Sequence, residues 1–269
     1  MRNIITSSQN ERIKKLERLK KPRERKKTGR FLIEGYREIS RALMGNYVLE
    51  ELYFSPELFL RKENEDLLAK KIAQQKGVLT QLAPALFAKL SYRDRPDGLL
   101  AVATQKKTLV EQISLSQEPL VLLAERIEKP GNLGTILRSS DAAGVDAVLV
   151  TDPVTDIYNP NVVRSSVGCL FTQTVVQIEQ TRALSYLQEH KIRTLAATPY
   201  GEDLFTEVDL SGPIAILVGS EQYGLKEESL ASADLRVRIP MFGEADSLNV
   251  AQATTLLLYE AVRQRHRLS

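Results

Sequence analysis

The run "LVLLAER" over residues 120–126 limits what this chain can fold into more than any other feature. It is apolar throughout and of strand length, and similar runs follow it: "AVLVTD", "LFTQTVVQI", "RTLAATP", "PIAILVGS" and "LRVRIPM". Segments with helical spacing lie between most of them. Strands apolar on both faces, alternating with helices, predict an α/β fold with a mostly parallel sheet covered on both sides. Such sheets bind ligands beyond the carboxyl ends of their strands, so chemistry is expected in the loops that follow these runs.

The preceding residues read differently. "RFLIEG", "LEELYFS", "VLTQL" and "GLLAVAT" are short strands, with helices expected at "YREISRALMGN", "PELFLRKENEDLLAKKIAQQKG" and "PALFAKLS". This predicts a small α/β domain over residues 1–105, a polar linker over 106–119 and a second domain over 120–269. A chain of 269 residues is long for one core and comfortable for two.

Charge is concentrated at the front. Residues 1–30 hold twelve Lys or Arg and three Glu, a net +9. The chain totals +3, so the remainder carries about −6. A basic arm on a mildly acidic body is the electrostatic footprint of a polyanion partner, most often nucleic acid. The competing reading is a solvated helix face or an unstructured tail. Ile13, Leu16 and Leu19, spaced by three, favour a docked helix with its basic residues outward. Arg12, Lys14, Lys15, Arg18, Arg23 and Arg25 are therefore candidate phosphate contacts. No apolar run is long enough to cross a bilayer, and charge begins at Arg2. One cysteine, Cys169, and two distant histidines, His190 and His266, leave no ready disulfide or zinc set. A cytoplasmic protein with no metal and no membrane contact is expected.

Three strand-end loops concentrate polar residues. In "EKPGNLGTILRSSDAAGVDAVLV", a turn at Pro130–Asn132 opens a helix with Leu133, Ile136, Leu137 and Ser140 inward. Arg138 lies roughly 140° from Leu133 and points away from the core. In "ILVGSEQYGLKEE", glycines directly after a buried strand allow close approach of a ligand to the backbone. This pattern fits neither the dinucleotide nor the P-loop fingerprint. In "RIPMFGEADSLNVAQATTLLLYEAVRQR", Ser247 and Asn249 precede a final helix that is apolar nearly all round. Asp246 or Ser247 would cap that helix, which leaves Asn249 over. Each loop alone also reads as an ordinary cap, surface arginine or strand-to-helix turn.

Together and in this order, the loops resemble the three motifs of the SpoU (TrmH-type) RNA 2′-O-ribose methyltransferases of the SPOUT superfamily. The motifs are "NLGTILRSSDAAG", "LVGSEQYGL" and "IPMFGEADSLNVAQATTLLLYEAVRQR". "NPNVVRSSVGCLF" resembles the family's connecting segment. "ITSSQNERIKKL" with "RFLIEG" resembles its N-terminal substrate-binding domain, which has an L30e-like fold. The resemblance implies a deep trefoil knot near the C-terminus that binds S-adenosylmethionine, and a homodimer formed through the catalytic domain. It implies cofactor contacts at Gly219, Ser220, Ile239, Pro240, Met241, Leu248 and Val250. Asn132, Arg138, Glu221, Ser247 and Asn249 match the catalytic positions, with Arg138 either deprotonating the ribose hydroxyl or clamping a phosphate. Arg164 is placed against RNA or cofactor. RNA is the implied partner, with 23S ribosomal RNA favoured and a transfer RNA 2′-O-methyltransferase or an antibiotic-resistance ribosomal RNA methylase as the alternatives. A non-catalytic RNA-binding assembly factor and a dinucleotide-dependent enzyme are the rival classes.

Overall fold

The computed structural model describes residues 4–266. Residues 1–3, with Arg2, and 267–269 lie outside the described residues. The chain opens with helices α1 (Glu11–Leu19) and α2 (Pro22–Thr28), strand β1 (Arg30–Glu34), α3 (Tyr36–Met44) and β2 (Leu49–Phe54). It continues through α4 (Lys62–Gln74), β3 (Val78–Gln81), α5 (Pro84–Leu90) and β4 (Leu99–Thr104). The second half brings β5 (Leu120–Glu125), α6 (Pro130–Ala142), β6 (Ala147–Thr151), α7 (Pro160–Ser165) and β7 (Val175–Ile178). Then come α8 (Gln180–Glu189), β8 (Arg193–Ala197), β9 (Asp203–Leu204) and β10 (Ile214–Val218). The last elements are α9 (Glu227–Ala231), β11 (Leu235–Arg238) and α10 (Val250–His266).

Two compact units divide the chain. One contains the residues up to Lys106 together with 156–172; the other contains 107–155 and the residues from Gln173 onward. The segment 156–172, grouped by sequence with the second domain, thus folds into the first unit. The first unit's sheet runs β1-β4-β2-β3, with β4 antiparallel to both neighbours and β2 parallel to β3. Phe31 of β1 meets Tyr158 of the inserted segment at 4.4 Å between ring centroids, and Tyr47 meets Phe171 at 4.9 Å. Aromatic contacts of this kind tie the inserted segment to the sheet.

The basic arm is a docked helix. Asn10 caps α1 by accepting from the Arg12 N–H at 2.9 Å, and Ile13, Leu16 and Leu19 are buried. Gly29 ends α2 at φ 65°, a conformation that glycine adopts without cost. Arg25 corrects the sequence reading. It is fully buried, its Nε donates to Asp156 Oδ2 at 2.6 Å, and Nη1 donates to the carbonyls of Leu19 and Lys20. A guanidinium held this way braces the fold and is not available to RNA. The helix read from Pro56 also starts later. A single 3₁₀ turn spans Pro56–Leu58, Phe59 is extended, and α4 begins at Lys62.

The second unit holds a seven-stranded sheet in the order β7-β6-β5-β10-β8-β11-β9, parallel throughout. Strand order reverses between β5 and β10, so their carboxyl ends form the expected crevice. β7 is shorter than "LFTQTVVQI" suggested, because Cys169–Phe171 form a 3₁₀ turn in the other unit. β8 and β9 are consecutive in the chain, yet β11 lies between them. Their connection, residues 198–202, is pressed against β11: a Cβ on Gly201 would stand 2.3 Å from the Val237 carbonyl carbon. Arg238 Nη1 donates to the Gly201 carbonyl at 2.7 Å and also to that of Glu202.

Candidate active site

At the crevice between β5 and β10 three loops deliver polar side chains. Pro130, with its φ preset for a helix start, begins α6 and puts Asn132 in the first turn. Asn132 Nδ2 donates to Glu221 Oε1 at 2.5 Å. Asn249 Nδ2 donates to the same oxygen at 2.5 Å and lies 3.3 Å from Asn132 Oδ1. The Lys129 ammonium pairs with Glu221 Oε2, and this bond holds the lysine above its ordinary pKa. Glu221 is thus a node joining side chains from three separate loops.

Asn249 has a second duty that the sequence reading assigned elsewhere. Its Oδ1 accepts from the Ala251 N–H at 3.0 Å, and its carbonyl accepts from Ala253 N–H. Asn249 itself therefore caps α10, in place of Asp246 or Ser247. Because the cap occupies the amide oxygen, the NH₂ end must face Glu221. The helix cap and the polar cluster fix one another's geometry.

Beside the cluster lies a cavity of about 400 Å³. Its wall includes Gly219, Ser220, Glu221, Ile239, Met241, Ser247, Leu248 and Val250. Pro240 lies between two of these residues but does not line the cavity. Gly219 is required sterically, since a Cβ there would stand 2.1 Å from the Gly224 carbonyl carbon across a tight turn. Sequence reasoning missed Thr198, Pro199, Tyr200 and Tyr223, which also line the cavity. The rule that drew attention to loops after β5, β10 and β11 applies equally to the loop after β8, and would have found the first three.

Glu125 at the end of β5 supports this site from below. It is fully buried and accepts from Ser229 Oγ at 2.5 Å, Gln180 Nε2 at 3.1 Å and the Lys226 N–H at 2.9 Å. These bonds pin the segment after Glu221 to the strand end. The Lys226 ammonium pairs with Asp152, which raises its pKa.

Arg138 is the matched catalytic residue that the chain does not bring to this cluster. It is exposed on α6 and does not line the cavity. Six residues beyond Asn132, it stands about 9 Å along the helix axis and about 120° around it. Of the residues expected to meet RNA, Arg12, Lys15, Arg18, Arg23 and Arg164 are exposed. Lys14 is half-buried and pairs with Glu11 at 2.9 Å.

The model of the SpoU rRNA Methylase family matches residues 119–259, just over half the chain and all of this site. The chain belongs to the SpoU rRNA methylase family. The MRM3-like substrate binding domain matches residues 10–101. The 23S rRNA (uridine(2479)-2′-O)-methyltransferase of Streptomyces viridochromogenes is 33% identical over 251 residues, covering 90% of this chain and 85% of that protein. A solved RNA 2′-O ribose methyltransferase is 41% identical, with a TM-score of 0.85 over 99% of this chain and 100% of the other. An AdoMet-bound rRNA methyltransferase from Sinorhizobium meliloti is 27% identical, with a TM-score of 0.89 over 99% of both chains. Both solved chains match this one along nearly its whole length.

Proposed function

We propose that this SpoU protein transfers a methyl group from S-adenosylmethionine to a ribose 2′-hydroxyl of RNA, with 23S ribosomal RNA the favoured substrate. The observation that carries the reading is the convergence of Asn132 and Asn249 on one oxygen of Glu221, beside a cavity of cofactor size. The cavity suits the cofactor. Val218, Leu230, Ile239, Leu248 and Val250 offer apolar walls for a flat base, and Ser220 and Thr198 bring hydroxyls to its rim. Bound there, the sulfonium supplies an electrophilic methyl group. We read the passage of residues 198–202 across β11 as part of the deep trefoil knot implied by the resemblance.

The chain's own residues then orient the ribose hydroxyl and lower its pKa, and its proton leaves to water as the new O–CH₃ bond forms. Glu221 holds both asparagine amides in fixed directions, and Ser247 lies exposed at the cavity wall to bond the ribose hydroxyl. Orientation of this kind supplies much of the rate, because it removes the search for an in-line geometry. A guanidinium is a poor base with its pKa above 12, so Arg138 acts best as a phosphate clamp that acidifies the hydroxyl electrostatically. Arg138 stands apart from the cluster in its own chain, so the reading places it in the partner's site of a homodimer. Leu256 and Tyr259, apolar and 43% and 47% exposed on α10, supply a surface for that pairing.

Mixing two inactive variants tests this. Arg138→Ala and Asn249→Ala each lose turnover by about 10²-fold or more and keep cofactor affinity. A random mixture regains about a quarter of wild-type activity if each site draws Arg138 from its partner. No recovery on mixing would put both residues in one chain's site, and full activity of either variant alone would refute its role.

A further inference from the structure

The first unit contains a cavity of about 340 Å³, distinct from the methyl-transfer site, and its wall mixes charges in an unusual way. Arg37 of α3, Arg61 at the start of α4 and Arg164 of α7 reach it and are exposed. Beneath them lie Glu38, Glu65 and Asp97, 3%, 1% and 6% exposed. Arg93 joins the two layers, with Nη2 2.6 Å from Glu38 Oε1 and Nη1 3.8 Å from Asp97 Oδ2. Each carboxylate has one oxygen engaged. Asp97 Oδ2 accepts from the Tyr36 N–H at 2.8 Å and Glu65 Oε1 from the Arg61 N–H at 3.0 Å. Each leaves the other oxygen, Glu38 Oε2, Glu65 Oε2 and Asp97 Oδ1, with no hydrogen-bond partner among the described residues.

Unmet acceptors inside a protein are costly, and their usual explanation is a ligand or an unseen donor. The sequence protects this arrangement. Gly35 sits at φ 103°, and a Cβ there would stand 2.5 Å from Arg93 Nη2 and 2.6 Å from Glu38 Oε2. A cation is a poor occupant, because four guanidiniums surround the cavity. A bare anion is also poor, because three carboxylates floor it. A nucleotide satisfies both layers: its phosphate meets the rim arginines, and N–H groups of its base meet the orphaned oxygens. Guanine fits best among the four bases. Its pairing edge offers two adjacent donors, N1–H and N2–H₂, beside the acceptor O6, which matches carboxylate oxygens next to Arg93. Tyr36, half-buried in the same wall, offers a ring for stacking.

We propose that this cavity of the first unit captures an unstacked guanosine of the RNA substrate, separate from the nucleotide that is methylated. The inference rests on the reading of the protein as an RNA methyltransferase. The unmet oxygens are closed to bulk water in the free protein, so side chains lining the cavity shift as the base enters.

The test uses the full chain with saturating S-adenosylhomocysteine, which blocks the cofactor cavity. Fluorescence anisotropy is read on uridine pentamers carrying a central guanosine, inosine or adenosine. Guanosine is expected to bind about tenfold tighter than adenosine, with inosine, which lacks the N2 amine, in between. Arg61→Ala and Arg164→Ala should weaken all three pentamers alike. Glu38→Gln should erase the preference for guanosine while leaving the arginine-dependent binding. If Glu38→Gln fails to fold, the comparison of guanosine with inosine on the wild type still decides. Equal binding of the three pentamers overturns the proposal, as does unchanged affinity in both arginine variants. A protein that methylates RNA but shows no guanosine preference sinks this inference alone. A protein that neither binds pentamers nor methylates sinks the reading beneath it.

Discussion

Glu125 of the second unit and three buried carboxylates of the first are finished in opposite ways. Glu125 has Ser229 and Gln180 on one oxygen and the Lys226 N–H on the other. Glu38, Glu65 and Asp97 each keep an oxygen without a partner among the described residues. A buried acceptor with all its bonds made holds a fold together, whereas one left open costs stability and is retained for another purpose. The contrast separates architecture from recognition: the carboxylate under the methyl-transfer loop is structural, and the acid floor of the N-terminal unit awaits donors.

Substitutions at the two sites should therefore behave differently. Glu125→Ala strands three buried donors and should lower the stability of the second unit by upward of about 4 kcal/mol, read as a shift in urea midpoint. A change below 1 kcal/mol, about the value of a surface substitution, would erase the contrast. Arg25→Ala should cost about 3 kcal/mol, because it leaves Asp156 and two carbonyls unpaired. It should not alter the salt dependence of RNA binding. The triple variant Lys15→Ala, Arg18→Ala, Arg23→Ala should do the reverse, keeping stability and flattening the log–log salt slope by about 2. The smallest effect concerns pH. Burial raises the Glu38 pKa despite the opposing pull of Arg93. A carboxyl raised in the folded state adds stability that is fully present below its unfolded pKa and is lost as pH rises through the folded one. Wild-type melting temperature should accordingly lose a small increment from the ordinary carboxylate range upward, and Glu38→Gln should not. Identical profiles would mean that Glu38 is compensated in the free protein.

The sequence made some of these features legible and hid others for physical reasons. The parallel sheet was readable because strands buried on both faces are apolar at every position, as in "PIAILVGS". The docking of α1 was readable because Ile13, Leu16 and Leu19 repeat with the helical period. Arg25 was misread because local pattern cannot tell a solvated arginine from one met by Asp156, 131 positions away. Residues 156–172 were grouped with their chain neighbours for the same reason, since their partners Phe31 and Tyr47 lie far upstream. At the site, Asn132, Glu221 and Asn249 were singled out by motif resemblance, but their shared oxygen is a three-dimensional fact. The helix-capping role of Asn249 was masked by Asp246 and Ser247, equally good caps in composition.

Glu221 is the node that holds both asparagines at the proposed site of methyl transfer. Single-turnover transfer of labelled methyl to ribosomal RNA by Glu221→Ala, with cofactor affinity measured by calorimetry on the same protein, addresses this most directly. The expected result is a loss of about 10²-fold or more in rate with cofactor affinity within about threefold of wild type. Wild-type turnover by this variant would contradict it.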